Sequence, residues 1–176
     1  MTKKKLLIIG AGGHAKVIAD AVLLKKEYEI IGFADDNIKI GTPVFGNYSI
    51  VSTLESISSL AFDEFIVAIG NNETRKKIFK SLSVNYKPAI IIHQNAIVSK
   101  YSKIGLGTVI LAGAVVSFGV EIGENCIINA SSLVDHESLI AANCHIAQGV
   151  IIGSNCSISD LSNIILGEKV QSRTKK

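Results

Sequence analysis

From Ile92 onward every sixth residue of this chain is isoleucine or valine. Ile92, Val98, Ile104, Ile110, Val116, Ile122, Ile128, Val134, Ile140, Ile146, Ile152, Ile158 and Ile164 hold thirteen consecutive positions at that spacing. Four residues after each stands Ala96, Ser102, Thr108, Ala114, Val120, Cys126, Ser132, Ser138, Cys144, Val150, Cys156, Ser162 or Glu168, and twelve of these thirteen are small or β-branched. A helix repeats near 3.6 and a half-buried strand at 2, so neither explains a period of six. The pattern predicts a parallel β-helix in which three hexads make one triangular turn. Each Ile or Val then stacks on its equivalents about 4.8 Å above and below. Burying one such side chain contributes about 1.5–3 kcal/mol. The small residues fit near a tight corner. Glu168 breaks the pattern and a charged tail follows (Arg173, Lys175, Lys176), so the ladder is expected to stop there. Flat faces on such a stack call for a neighbouring copy.

The first half has a different grammar. Lys5 to Ile9 reads as a strand ending in Gly10-Ala11-Gly12-Gly13, and Ala15, Ile18, Ala19, Val22 and Leu23 recur at helical spacing. Glu29 to Ala34 and Glu64 to Ile69 read as strands, Thr53 to Leu60 and Glu73 to Leu82 as helices, with Pro43 and Pro88 outside them. Strand–helix alternation predicts a parallel sheet covered by helices. The division falls at residues 1–88 and 89–176.

Composition narrows the function classes. Aromatic residues are only 6% and the net charge is +3, part of it in Lys3, Lys4, Lys5 and the tail. Basic termini of this kind are usually solvated, so no nucleic-acid partner is expected. No apolar run approaches a membrane span. Three cysteines without a secretory signal fit a cytoplasmic protein. Cys126 and Cys144, eighteen apart, should share one edge, as small residues in the corner slot rather than as a thiol pair or metal site.

Gly10-Ala11-Gly12-Gly13-His14-Ala15 fits G-x-G-x-x-G/A between a strand and a helix. Glycines there let the backbone approach a phosphate at the helix N-terminus. Asp35 ends the next strand, where an acid can hold a ribose hydroxyl. Only about half of a full dinucleotide-binding domain precedes the repeat, which favours one nucleotide diphosphate over NAD.

Together the segments IIGAGGHAKVIAD, GFADD, AIGNNETRKKIF, IHQNAIVS, SSLVDHE and HIAQG resemble the sialic acid O-acetyltransferase and UDP-N-acetylbacillosamine N-acetyltransferase family of hexapeptide-repeat sugar acetyltransferases. AIGNN followed by Arg75, and the VDHE tetrad, carry most of that likeness. The resemblance implies a Rossmann-like nucleotide-sugar-binding half, a left-handed β-helix, and a homotrimer with active sites between subunits. It also implies acetyl-CoA as donor, a UDP-linked 4-amino sugar as acceptor, and no metal. His136 would be the catalytic base and Glu137 the carboxylate that orients it. Asn129 and His145 would line the same cleft. Gly12, Gly13, His14, Asp35, Asp36 and Gly70 would border the nucleotide.

Chemistry agrees with that assignment. Acyl transfer to an amine needs a neutral nitrogen, and imidazole is the side chain suited to taking its proton near neutral pH. A carboxylate on the other ring nitrogen fixes the tautomer. The resemblance leads one to expect about one more hexad between Gly149 and Gly153, and a further C-terminal segment that helps hold coenzyme A. Gly149 or Gly153 would then supply the backbone N–H for the oxyanion. Two other readings stay open: O-acetylation of a sialic-acid-like sugar, and a shortened nucleotide-sugar-binding homologue without catalysis.

Overall fold

The computed structural model describes residues 3–176, and the chain divides into two compact units, Met1–Ala89 and Ile90–Lys176. The first contains β1 (Lys4–Ile9), α1 (Gly13–Lys25), β2 (Tyr28–Ala34), β3 (Pro43–Phe45), β4 (Tyr48–Ser52), β5 (Glu64–Val67), α2 (Asn72–Leu82) and β6 (Lys87–Pro88). They form one sheet in the order β3-β4-β2-β1-β5-β6, parallel except between β3 and β4. Leu6 to Ile9 at its centre are fully buried, as a continuous apolar run in a parallel sheet should be. α1 covers the sheet through Ala15, Ile18, Ala19, Ala21 and Val22. Asn71 caps α2 by accepting the Thr74 N–H at 2.9 Å.

Three expectations change here. The helix expected over Thr53 to Leu60 is only a 3-10 turn at Ile57–Ser59. Ser56 Oγ accepts the Thr53 N–H, and Ser59 Oγ donates to the Ser56 carbonyl at 2.7 Å. Those local bonds hold the backbone in turns instead of a helix. The hairpin β3–β4 was not anticipated, although Gly46-Asn47 is a two-residue hairpin signal and Gly46 has φ 53°. Pro43 and Pro88 lie inside β3 and β6 at the margins of the sheet, where a missing N–H is tolerated.

At the amino end of the sheet Glu64 is 4% exposed. Its Oε1 meets Lys4 Nζ at 2.9 Å and Lys87 Nζ at 3.1 Å, while Oε2 accepts the Tyr28 hydroxyl at 2.6 Å. Burial pushes the Glu64 carboxyl up, but hydrogen bonds from Lys4, Tyr28 and Lys87 outweigh it and hold the group below the usual carboxylate range. A depressed folded-state value means that the stabilisation is complete above the ordinary carboxylate pKa. It is lost as pH falls through the folded value. Glu64→Gln should therefore cost about 2 kcal/mol in urea unfolding near pH 7. The gap to wild type should narrow near pH 3.

The second unit is a parallel β-helix of two-residue strands. Its first face stacks Ile92, Ile110, Ile128, Ile146 and Ile164. The second stacks Val98, Val116, Val134, Ile152 and Val170, and the third Ile104, Ile122, Ile140 and Ile158. From Ile110 on, all of these side chains are buried in a single core. The ladder does not stop at Glu168. Val170 is the next rung, and backbone pairing runs on to Lys176, whose N–H donates to the Ser157 carbonyl at 2.8 Å. Glu168 is tolerated because its slot is only half-buried and its carboxylate meets Lys176.

The corner slot has a chemistry that size alone does not express. Thr108 Oγ1 donates to the Gly123 carbonyl and Ser138 Oγ to that of Gly153, both at 2.9 Å. The thiols of Cys126, Cys144 and Cys156 do the same to Ala141, Ser159 and Gln171 at 3.0–3.1 Å. Five of the slots thus hold a small donor aimed at the next coil, while Ser102 and Ser132 donate back to Ser99 and Asn129. The three cysteines are buried and unlinked. One position earlier, the chain turns through left-handed φ at Gly107, Gly113, Gly119, Asn125, Ser131, Glu137, Asn143, Gly149, Asn155, Leu161, Gly167 and Arg173. Glycine and asparagine dominate because a left-handed residue with a Cβ costs about 1–2 kcal/mol.

Candidate functional site

In the first unit the glycine loop leaves the carboxyl end of β1. Gly10 has φ 96° and donates its N–H to the Ala34 carbonyl at 2.8 Å; a Cβ there would stand 3.0 Å from Ile69. Gly12, Gly13 and Gly70 differ, for a Cβ on any of them would meet nothing within 4 Å. α1 starts at Gly13 without a side-chain cap. The space beside Gly12 and Gly13 at the start of α1 is open, an arrangement suited to a phosphate near the positive end of the helix dipole. His14 sits half-buried in that first turn.

The two aspartates do more local work than a ribose contact requires. Asp35 Oδ2 accepts the Ala11 N–H at 3.1 Å and Oδ1 the Asn37 N–H at 2.9 Å, tying the end of β2 to the glycine loop. Asp36 Oδ1 accepts the Leu54 N–H at 2.8 Å. Arg75, read from sequence only as a marker of resemblance, is 1% exposed. Its Nη1 donates to the carbonyls of Ile69 and Gly70, each at 3.1 Å, and its Nη2 to Asn72 Oδ1 at 2.8 Å. The guanidinium fork thereby shapes the loop that carries Gly70.

In the second unit, Asp135, His136 and Glu137 form the corner after the second face. His136 Nδ1 stands 3.4 Å from Glu137 Oε2, and the side chains are 50% and 57% exposed. That separation is the long end of a hydrogen bond, which commonly tightens when substrate binds. The His136 carbonyl accepts the Asn155 N–H, and Asp135 Oδ1 accepts the His136 N–H. Glu137 holds a left-handed corner that its neighbours fill with Gly119 and Asn155. Ser131, Leu161 and Arg173 hold the same left-handed corner elsewhere in the coil.

Asn129 and His145 form a second pair on the first face and its following corner. Asn129 Oδ1 accepts the Ala130 N–H at 2.8 Å, so its Nδ2 faces His145 Nε2 at 3.2 Å. The imidazole nitrogen must then act as acceptor, which places the His145 proton on Nδ1. Within one chain these two pairs occupy the two corners that flank the second face and do not converge. Gly149 and Gly153 do not offer the N–H that the sequence suggested. The Gly149 N–H donates to Ala130 and that of Gly153 to Val170, within the coil ladder. A Cβ on Gly149 would meet nothing within 4 Å, whereas one on Gly153 would collide with Ser172. Gly149 is thus open to a ligand's approach and Gly153 serves coil packing. His93 is buried and its Nδ1 accepts the Asn95 N–H at 3.0 Å, a structural bond.

Among the described residues no cluster of three or more His, Cys, Asp or Glu could hold a metal, and no helix is long and apolar enough to cross a membrane.

Comparison with known proteins bears on both units. The family described as PglD N-terminal domain matches residues 5–82. UDP-N-acetylbacillosamine N-acetyltransferase of Bacillus subtilis (strain 168) is 34% identical over 114 residues, 62% of this chain. That match spans 52%, about half, of the relative's own length. The acetyltransferase domain of PglB from Neisseria gonorrhoeae FA1090, solved in complex with acetyl coenzyme A, superimposes with a TM-score of 0.92 at 33% identity, over 99% of this chain and 85% of that one. PerB from Caulobacter crescentus, solved with CoA and GDP-perosamine, gives 0.88 at 26% identity over 97% and 82%.

Proposed function

The chain belongs to the PglB- and PglD-like family of sugar acetyltransferases with a left-handed β-helix, and from that premise we propose that it moves the acetyl group of acetyl-CoA onto the amino group of a nucleotide-linked amino sugar. A UDP-linked 4-amino sugar is the acceptor we favour, following the Bacillus subtilis relative. The observation that carries the reading is the His136–Glu137 pair, exposed and side by side at one corner of the β-helix.

In this mechanism Glu137 accepts a hydrogen bond from the Nδ1–H of His136, which leaves Nε2 unprotonated as the base. The sugar amine attacks the thioester carbon while Nε2 takes its proton. The tetrahedral intermediate then collapses, the C–S bond breaks, and the proton returns to the departing thiolate. The products are one amide and one free CoA thiol. No covalent enzyme intermediate is needed. Gly12, Gly13, Gly70 and the start of α1 would hold the diphosphate, with Asp35, Asp36 and His14 bordering it, while Gly149 would lie along coenzyme A.

A homotrimer completes the proposal. The second face presents Ile97, Val115, Leu133 and Ile151 outward in one column, with Ile97 and Ile151 exposed. A second copy packed on that face would cover the column and bring the Asn129–His145 corner of one subunit toward the His136 corner of another. Light scattering at micromolar protein should give the trimer mass, and a monomer would refute this part.

The test of activity is release of CoA thiol from acetyl-CoA with a panel of UDP- and GDP-amino sugars. Release that requires the acceptor supports the enzyme, and saturable sugar-nucleotide binding without release identifies a binding protein instead. Glu137→Gly separates catalysis from folding. Relief of the left-handed corner, about 1–2 kcal/mol, is partly offset by the chain entropy of glycine, so the unfolding midpoint should rise only slightly. Loss of the carboxylate should still lower kcat by about tenfold or more.

A further inference from the structure

The corner that carries His136 has an aromatic surface on its N-terminal side. Coil stacking sets Ser117-Phe118-Gly119 directly against Asp135-His136-Glu137: the Ser117 N–H donates to the Val134 carbonyl and the Glu137 N–H to the Phe118 carbonyl, both at 3.0 Å. One coil further, Tyr101 packs against Phe118 with ring centroids 5.4 Å apart and planes at 58°. Lys100 Nζ lies 4.9 Å over the Tyr101 ring. Phe118 is 57% and Tyr101 60% exposed. The chain has six Phe, four Tyr and no Trp, so two of its ten aromatic rings stand in the open at a single corner. They do not serve the core, which in this unit is aliphatic.

We propose that Phe118, backed by Tyr101, is the surface on which the carbon face of the acceptor sugar packs, making it a specificity-determining residue of the transfer reaction. The inference rests on the assignment of His136 as base. An amine held at His136 fixes its own sugar ring within a few ångströms, and the next coil lies about 4.8 Å away. The pyranose is therefore the part of the acceptor that reaches Phe118; the nucleobase is a diphosphate and a ribose further off. One face of a pyranose presents C–H groups, which suit the electron-rich face of an aromatic ring. Tyr101 holds Phe118 by the tilted ring pair, and Lys100 holds Tyr101 in turn.

Calorimetric binding of UDP and of a UDP-4-amino sugar to the intact protein tests this, beside the steady-state assay. Phe118→Ala should weaken the UDP-amino sugar by about tenfold, the size of one aromatic contact, and raise its KM likewise. Affinity for UDP alone, KM for acetyl-CoA and the light-scattering mass should not change, and Phe118→Trp should retain tight sugar binding. Equal weakening of UDP and UDP-sugar, or no weakening, would overturn the proposal. So would a fall in mass, which would make the ring pair a subunit contact. A selective loss of sugar affinity in a protein without turnover would keep the ring contact and remove the assigned base, so the two failures are told apart.

Discussion

Replacing His136 with alanine is expected to lower kcat by about 10²–10⁴-fold, the usual worth of a positioned general base. Affinity for the sugar nucleotide should stay within about threefold, because the imidazole acts on a proton in flight rather than on the bound ground state. The unfolding midpoint should hardly move, since the side chain is half-exposed. This combination separates a catalytic role from a structural one. A large loss of kcat with an unchanged midpoint belongs to a base. A matching fall in stability would say that the corner, not the proton transfer, had failed. The variant is read by single-turnover CoA release at saturating acceptor.

The second large effect lies in the fold. Ile128 is fully buried on the first face, between Ile110 and Ile146. Ile128→Val removes one methyl group and should cost about 0.5–1.5 kcal/mol. Ile128→Asp removes the packing and leaves a carboxylate in an aliphatic core with no cation to meet it. The truncation alone is worth about 2–5 kcal/mol, and the unpaired polar group adds to it. That exceeds a large part of the stability of an ordinary domain, so the second unit should fail to fold. Urea unfolding followed by circular dichroism is the measurement, and a wild-type midpoint for the aspartate variant would contradict the single-core description.

The β-helix was legible because each hexad meets the same environment, so one physical demand is written thirteen times. Its C-terminal limit was misjudged for a related reason. Glu168 departs from the small residues of the corner position, but its slot is only half-buried and an ion pair with Lys176 suffices there. The left-handed corner is marked more weakly, because Gly107, Gly113, Gly119, Asn125, Asn143, Gly149 and Asn155 share the position with Ser131, Glu137, Leu161 and Arg173. In the first unit the strongly apolar elements β1, α1 and β2 were plain. The hairpin β3–β4 and the serine-rich turn after β4 were not, since they depend on turn chemistry and on side chains competing for the backbone.

The candidate site was legible to a different degree in each part. The glycine loop announces itself by composition, and the open space at Gly12, Gly13 and Gly70 fits that reading. The loop-shaping role of Arg75 depends on a three-dimensional fork of donors that spacing cannot convey. Gly149 and Gly153 looked alike in sequence, yet one is open and the other is filled by the next coil. The separation of His136 from Asn129 and His145 follows from the eighteen-residue register once the faces are assigned. That register gives the trimer its proposed function, because only another subunit can join the two corners.

The most direct test is the product itself. Purified protein, acetyl-CoA and a UDP-4-amino sugar should yield one acetylated sugar nucleotide per CoA released, with the acetyl group in amide linkage by mass spectrometry and NMR. The yield should collapse with His136→Ala. An ester product, or no product from any UDP- or GDP-amino sugar that binds, would contradict the assignment of this chain as a nucleotide-sugar N-acetyltransferase.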